Sequence, residues 1–293
     1  MSQITDEIRK SFKAGDDIRD EGLTTPSDIV RFDDIFYGEN RDWQKLDVYR
    51  PAESGDRKLP VIVSVHGGAW TYGDKERYQF YCMNLAQRGF AVVNFTYRLM
   101  PEFKFPAQLE DTNLVFAWIL ENAEKYNLDV KNIFALGDSA GGHLLCLYTA
   151  ICTNAGYARN YSFSVPKNLA LKAVALNCGV YTRKKGESEQ DDLLMAELLP
   201  DGGTAEEYEL ISGVNHVTSG FVPAFVMTAN QDFLKNQAPV LVSRLMEVNV
   251  PFTFRFYGTD ENPLGHVFHC DIKSAAAKLC NDEECEFFSK YID

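Results

Sequence analysis

Ser139 is the residue whose surroundings most clearly predict chemistry. It lies in the sequence Gly-Asp-Ser-Ala-Gly-Gly at 137–142, between an apolar run at 132–136 and a helical stretch at 143–151. A G-x-S-x-G sequence between a buried strand and a helix is typical of a sharp turn that exposes a serine hydroxyl as a nucleophile. The flanking glycines allow the strand and the helix to approach closely. The alternative is a glycine-rich turn that only joins a strand to a helix.

Two downstream residues could complete a catalytic triad with this serine. A serine hydroxyl needs a base to take its proton and a carboxylate to orient that base, and after such an elbow the acid precedes the histidine along the chain. Asp232 directly follows the predicted strand 224–229 and is the expected acid. His266 follows the last predicted strand, 252–257, and is the expected base. His269 is instead expected to begin the closing helix, with its side chain either solvent-exposed or buttressing.

The remaining acids and histidines fit these roles less well. Asp260 and Glu261 also lie downstream, but they follow the last strand, where the histidine is expected. His216 precedes the strand of the acid and therefore comes too early for the base. It is expected to line the pocket or to be structural. His143 lies on the helix behind Ser139 and is expected to be packed.

A second motif lies where an oxyanion hole requires it. Backbone N–H groups stabilise the tetrahedral intermediate of acyl transfer, and one of them would come from Ala140, the residue after the nucleophile. The others are expected from Gly68 and Ala69, in the sequence His-Gly-Gly-Ala-Trp at 66–70, directly after the apolar run 61–65. An ordinary turn is the alternative for this loop. Four side chains are candidates for the substrate pocket, the first of them expected mainly to organise the loop: His66, Trp70, Asp138 and His216.

Hydrophobic patterning predicts the α/β fold class. Apolar, β-branched runs alternate with helical patterns, which is typical of a mostly parallel, twisted sheet with helices on both faces, and such sheets bind ligands at the carboxyl ends of their strands. We expect one domain over 1–293, with 1–25 as an N-terminal arm or small cap and about 181–215 as an insertion near the active site. The predicted strands are 30–37, 44–50, 61–65, 90–95, 133–136, 171–177, 224–229 and 252–257, and the main predicted helices are 78–88, 106–126, 143–151, 237–248 and 274–291.

Composition and charge limit the classes of partner. The chain has 293 residues and a formal net charge of −13, which argues against binding to nucleic acid or to an anionic membrane surface. The polar N-terminus has no apolar signal core, and no apolar run is long enough to span a bilayer, so a cytoplasmic protein is expected. Seven scattered cysteines without a C-x-x-C pair predict reduced, buried thiols, and no metal-site spacing stands out among the histidines.

Together, these motifs resemble the α/β-hydrolase esterases and lipases of the hormone-sensitive-lipase type. The resemblance runs from about residue 45 to the C-terminus, and it also includes Leu-Asp-Val-Tyr-Arg-Pro at 46–51 and Tyr-Arg-Leu-Met-Pro-Glu at 97–102. It implies the α/β-hydrolase fold with a cap. In place of the family's usual H-G-G-G, this chain has Ala69 followed by Trp70. This H-G-G-x-W form resembles small acyl esterases, including sugar-acetyl and feruloyl esterases, and also kynurenine formamidase.

The resemblance implies a serine carboxylesterase that hydrolyses short-chain acyl esters through an acyl-enzyme, with acetylated sugars as one substrate class. Its partner would be a small-molecule ester, no cofactor is expected, and a homodimer is left open. An amidase of the arylformamidase or kynurenine-formamidase type is the alternative, because the same triad could cleave a formyl amide. A non-catalytic binding module on the hydrolase fold is a distant alternative. Such modules usually lack the nucleophile or the base, whereas this chain offers a residue for every catalytic role.

Overall fold

One sheet of eight strands forms the centre of residues 3–293, the part of the chain that the computed structural model describes. The strands are Ile29–Phe36 (β1), Lys45–Pro51 (β2), Leu59–Val65 (β3), Ala91–Phe95 (β4), Leu128–Asp138 (β5), Leu171–Asn177 (β6), Ala224–Ala229 (β7) and Phe252–Tyr257 (β8). Their spatial order is β1-β2-β4-β3-β5-β6-β7-β8. β2 pairs antiparallel with β1 and β4, and the pairs from β4 across to β8 are parallel. The predicted mostly parallel sheet is confirmed.

Helices cover both faces of this sheet. They are Gln3–Asp20 (α1), Lys75–Ala86 (α2), Ala107–Asn122 (α3), Ala140–Thr153 (α4), Ala155–Ala158 (α5), Glu189–Leu198 (α6), Ala205–Ile211 (α7), Gln237–Glu247 (α8) and Ala275–Ser289 (α9). Alternate side chains of a strand point to opposite faces. In β3, Val61 and Val63 therefore join Leu144 of α4 in one buried core, whereas Ile62 joins Met83 of α2 in the other. A strand that supplies two cores has to be apolar throughout, as its sequence is.

Side-chain caps determine where two of the helices begin. The α2 helix starts at Lys75, three residues before its predicted start, because the Asp74 side chain accepts the N–H of Arg77. The predicted first residue of the closing helix, Ser274, is the N-cap of α9, and its hydroxyl accepts the N–H of Ala277 at 3.1 Å. The hydrophobic patterns thus predicted both helices, and their capping side chains place the observed first residues within three residues of the predicted ones.

The register of the parallel strands brings two motifs together at one edge of the sheet. Val65, the last residue of β3, pairs with Gly137 of β5. On the other side of β5, Asp138 pairs with Asn177 of β6. The loop after β3 and the serine turn after β5 therefore leave the sheet side by side.

The predicted N-terminal arm forms helix α1, which packs on helix α6 of the predicted insertion. The predicted insertion 181–215 contains α6 and α7, and α1 contacts α6, with the Thr5 hydroxyl hydrogen-bonded to Glu197. Arg9 of α1 donates to the carbonyl oxygen of Thr71 at 2.8 Å. The first two residues of the predicted arm lie outside the described range. In the described part of the chain, no helix combines the length and the apolarity needed to cross a membrane.

Candidate active site

Ser139 lies at the sharp turn between β5 and α4. Its φ of 52° and ψ of −118° are strained for a residue with a side chain, and its N–H donates to the Asn177 carbonyl at 2.9 Å. Both flanking glycines are sterically required. A Cβ at Gly141 would overlap the carbonyl oxygen of Val65, and one at Gly137 would lie 2.6 Å from the carbonyl oxygen of Gly141. The structure thus has the predicted strand–serine–helix turn.

Asp232 and His266 form a hydrogen-bonded pair. His266 Nδ1 and Asp232 Oδ1 are 2.7 Å apart. The buried carboxylate also accepts the Thr228 hydroxyl and the Leu234 N–H, each at 2.8 Å. Burial alone would raise the pKa of Asp232, but the hydrogen bonds, that from His266 first among them, hold it below its ordinary value. An ionised Asp232 only accepts hydrogen bonds, so His266 donates from Nδ1 and keeps Nε2 as an acceptor.

The loops that carry this pair run side by side. Gln231 and Gly265 form a short parallel bridge beyond the ends of β7 and β8. The Gln231 N–H donates to the carbonyl oxygen of Leu264 at 3.0 Å. This bridge extends the strand pairing by one step and places the residue after each of its members, Asp232 and His266, at the same edge of the sheet.

Cys178 connects the acid–base pair to the serine turn. Its thiol, the Asp232 carboxylate and the His266 imidazole lie within 4.8 Å of one another. Cys178 directly follows Asn177, which accepts the Ser139 N–H. Burial raises the pKa of the Cys178 thiol well above its ordinary value, so the group stays a neutral thiol at neutral pH. The predicted nucleophile, acid and base therefore follow β5, β7 and β8 at the same edge of the sheet.

The loop at 66–70 makes a tight turn in which three successive residues have left-handed backbone conformations. Gly68, Ala69 and Trp70 all have positive φ, at 118°, 51° and 60°. A Cβ at Gly68 would overlap the carbonyl oxygen of Tyr72. Within residues 3–293, the N–H groups of Gly68, Ala69 and Ala140 make no hydrogen bond, so the three predicted donors are available to a ligand.

The side chain of His66, the first residue of this loop, packs in the interior and does not face an open pocket. Its buried ring stacks on Tyr97, with 3.9 Å between the ring centroids, and its Nδ1 donates to the carbonyl oxygen of Gly67 at 2.7 Å. Burial lowers the pKa of His66 to about 4, so the ring is neutral. This placement fits the expected organiser of the loop rather than a pocket wall.

Hydrogen bonding of Trp70 holds the C-terminal end of the loop in place. Its buried indole N–H donates to Nδ1 of His143 at 3.1 Å, and Nε2 of His143 donates in turn to the Ile211 carbonyl at 2.8 Å. Because Ile211 ends α7, the predicted insertion and the loop at 66–70 are joined through the predicted packed histidine, His143.

Comparison with known proteins identifies the family. The BD-FAE family model matches residues 46–245, which is more than half of the chain. The chain belongs to the BD-FAE family. Among solved structures, esterase B of Lactobacillus rhamnosis superimposes with a TM-score of 0.90 at 24% identity, over 99% of this chain and 97% of that one. This likeness confirms the predicted α/β-hydrolase fold.

Curated relatives of this BD-FAE member carry esterase names. Esterase LipQ of Mycobacterium tuberculosis is 27% identical over 208 residues, which cover 68% of this chain and 48% of LipQ. The versiconal hemiacetal acetate esterase of Dothistroma septosporum is 28% identical over 211 residues, which cover 66% of this chain and 62% of that enzyme. The chain thus spans less than two thirds of the length of either relative. The predicted kinship with hydrolase esterases of the hormone-sensitive-lipase type is confirmed.

His216 is one predicted pocket residue that the fold of this BD-FAE member places elsewhere. Its ring stacks on Tyr157 with 3.8 Å between centroids, and its carbonyl accepts a hydrogen bond from Asn154, the C-cap of α4. Because α4 has 14 residues, this end lies roughly 20 Å from the end that carries Ser139. His216 is therefore structural, the other role expected for it.

Two further expectations are corrected by burial. Asp138 is buried and accepts a 2.8 Å hydrogen bond from the Tyr78 hydroxyl, so it faces the interior instead of a pocket. Burial, opposed by that hydrogen bond, raises its pKa to about 6. His269 does not begin the closing helix. It lies in a short turn, packs on Tyr81 with 5.3 Å between centroids, and has a pKa that burial lowers to about 3.

Sequence reasoning missed three residues that contact the site. Thr228 lies in β7, four residues before the acid that it supports, and this spacing is a signal that the sequence contains. Phe233 directly follows the predicted acid, Asp232, and its ring lies against that of His266, with 4.3 Å between the centroids. Tyr78 of α2 supports the loop at 66–70, because its hydroxyl accepts the Gly67 N–H, and no local pattern marks it.

A cavity of about 540 Å³ lies beside the arm rather than at the serine turn. Arg9 and Lys13 of α1 line one side of it, and the segment 71–76 lines the other. None of the three candidate catalytic residues lines this cavity.

Proposed function

We propose that this protein is a serine carboxylesterase that hydrolyses short-chain acyl esters. The observation that carries the proposal is the Asp232–His266 hydrogen bond at the edge of the sheet where Ser139 forms a strained turn. In the proposed triad, Ser139 is the nucleophile, His266 the base and Asp232 the residue that orients the base.

The proposed reaction follows from these roles. Ser139 attacks the ester carbonyl as Nε2 of His266 takes the hydroxyl proton, and Asp232 stabilises the imidazolium that forms. The N–H groups of Gly68, Ala69 and Ala140 stabilise the oxyanion. His266 then gives the proton to the leaving alcohol, which departs and leaves an acyl-enzyme. Water hydrolyses this intermediate by the same steps, and no cofactor is needed.

Two features support short acyl chains. Trp70 directly follows the proposed donors, and its indole is held by His143, so a bulky side chain is fixed beside the oxyanion loop. The versiconal hemiacetal acetate esterase is named for an acetate ester, and esterase B of Lactobacillus rhamnosis was crystallised inhibited by a tributyrin phosphonate. We propose small acyl groups for this chain as well, with acetylated sugars as one natural substrate class.

Initial rates on nitrophenyl acetate, butyrate, octanoate and laurate test the proposal. We expect the wild type to prefer the two short esters and Ser139→Ala to lose about three orders of magnitude or more in kcat/KM. Ser64→Ala, which changes a buried serine of β3, is the matched control and should retain activity. Activity that survives in Ser139→Ala would contradict the triad. A laurate rate above the butyrate rate would contradict the chain-length preference, and hydrolysis of N-formylkynurenine alone would favour the amidase.

A further inference from the structure

Phe233 is an exposed aromatic side chain in contact with the proposed base. It is 73% exposed, and its ring centroid lies 4.3 Å from that of His266, with 45° between the ring planes. Single exposed apolar residues are common on protein surfaces, so exposure alone carries no meaning here. Its contact with the imidazole is the informative feature, because that ring transfers the proton in the proposed reaction.

The local backbone fixes this position. The Asp232 carboxylate accepts the N–H of Leu234 at 2.8 Å, which closes a tight turn around the residue between them. Leu234 packs on the larger buried core. With Asp232 and Leu234 both held on the protein side, the Phe233 side chain is directed outward, onto the imidazole of His266.

The position of Phe233 corresponds to one part of an ester substrate. As general acid, His266 has to come within about 3 Å of the leaving alcohol oxygen to deliver its proton. The first atoms of the alcohol must therefore lie beside the imidazole, within reach of a ring whose centroid is 4.3 Å from it. The acyl part is expected on the other side of the carbonyl, toward the oxyanion loop. Phe233 is thus placed to contact the alcohol part of the substrate and not the acyl chain.

We propose that Phe233 is a specificity-determining residue that selects esters of flat, apolar alcohols, such as benzyl-type alcohols, over esters of small alkyl alcohols. This inference rests on the proposed esterase function. An aromatic alcohol group would pack against the open face of Phe233 and remove apolar surface of both partners from water, and aromatic pairs gain further from offset or edge-to-face contact. An ethyl group covers little of the ring and gains little from it.

Benzyl acetate and ethyl acetate test the proposal, because they share the acyl group and their alcohols have similar acidity. The measured quantity is the ratio of kcat/KM for the benzyl ester to that for the ethyl ester. We expect the wild type to favour benzyl acetate and Phe233→Ala to lower the ratio by about 3- to 10-fold. Phe233→Tyr keeps the ring and should leave the ratio within about twofold. Phe256→Ala is the matched control, since Phe256 is 55% exposed on edge strand β8, and should not change the ratio.

The outcomes separate the inference from the function on which it rests. If Phe233→Ala lowers both rates in parallel, Phe233 only positions His266, and the proposed selectivity is wrong. An unchanged ratio with unchanged rates also overturns it. Hydrolysis of both esters by Ser139→Ala would instead contradict the triad, whatever the ratio. A lower ratio in Phe233→Ala, together with inactive Ser139→Ala, supports both proposals.

Discussion

The Tyr78 hydroxyl donates a 2.8 Å hydrogen bond to the carboxylate of Asp138, 60 residues later in the chain. The same hydroxyl accepts the N–H of Gly67 at 2.9 Å. Gly67 precedes the proposed oxyanion donors of the loop, and Asp138 precedes Ser139. One buried side chain of α2 thus joins the loop after β3 to the serine turn after β5, and it fixes their separation beyond what the pairing of the strands provides.

Replacing Tyr78 by Phe should lower kcat about tenfold and leave KM within about twofold. The substitution leaves the buried Gly67 N–H without its acceptor, which costs on the order of 1–3 kcal/mol, and the loop can relieve this cost by shifting. Its donors act mainly on the charge that develops in the transition state, so kcat is the parameter that falls. Steady-state kinetics on nitrophenyl butyrate measures the effect.

Tyr81→Phe is the control for this prediction. Tyr81 is also a buried tyrosine of α2, and its hydroxyl also donates to a buried carboxylate, that of Glu284. In the described structure its hydroxyl makes no hydrogen bond to the proposed oxyanion loop, so Tyr81→Phe should reduce stability without lowering kcat. Equal losses of kcat in the two variants would mean that the Tyr78 effect is only a general loss of packing.

Asp232→Asn should reduce kcat on short esters by a factor on the order of 10³–10⁴, as expected when the base is held in the wrong tautomer. An amide at this position can donate to Nδ1 of His266, which would put the ring proton on Nε2. A protonated Nε2 cannot accept the proton of the serine hydroxyl. Asp260→Asn, at the exposed acid that follows β8, should keep full activity. A small effect of Asp232→Asn alongside a large one of Asp260→Asn would assign the acid to the other loop.

Gly68→Ala should abolish activity and destabilise the fold, because the new Cβ would overlap the carbonyl oxygen of Tyr72. Gly89→Ala is the matched control. Gly89 has a φ of 93°, similar to the 118° of Gly68, but no atom lies within 4 Å of its added Cβ. The control should cost only about 1 kcal/mol of unfolding free energy, from backbone strain. Thermal unfolding and ester hydrolysis of both variants distinguish the steric overlap from the strain.

Glu284→Gln should make the protein more stable at neutral pH. Burial raises the pKa of Glu284 to about 7 from its ordinary 4.5, although hydrogen bonds from Asn177 and Tyr81 oppose the shift. The folded carboxyl therefore keeps a proton that the unfolded chain loses, so its contribution to stability is complete below about pH 4.5 and is lost as the pH rises to about 7. The neutral amide avoids this loss, which is on the order of 3 kcal/mol.

Urea unfolding at pH 5 and pH 8 measures this difference. The advantage of Glu284→Gln over the wild type should be small at pH 5 and large at pH 8. Glu286→Gln, an exposed acid of the same helix, should follow the wild type at both values. If wild type and Glu284→Gln change in parallel with pH, the carboxyl titrates in the folded state as it does in the unfolded chain.

The sequence by itself determined the strands, the serine turn and the order of the candidate residues. These features depend on local patterns, because apolar β-branched runs form buried strands and glycines are needed where Cβ atoms would collide, as at Gly141. The position of Asp232 directly after β7 and of His266 after β8 followed from the order of the strands, since parallel strands present their carboxyl ends at one edge. Their hydrogen bond is the tertiary consequence of that order.

Tertiary structure alone decided which polar side chains face the site. His216 packs at the end of α4 that is far from Ser139, because its carbonyl accepts a hydrogen bond from Asn154, the C-cap of that helix. Asp138 directly precedes Ser139 in sequence, but its hydrogen bond with Tyr78 holds it in the interior. The hydrogen-bond partners of Tyr78 are Gly67 and Asp138, which lie 11 and 60 residues away in the chain. Phe233 contacts His266 across the loops that follow β7 and β8. Periodicity specifies the buried face of an element, but the partner of a buried hydroxyl or an exposed ring depends on how separate elements pack.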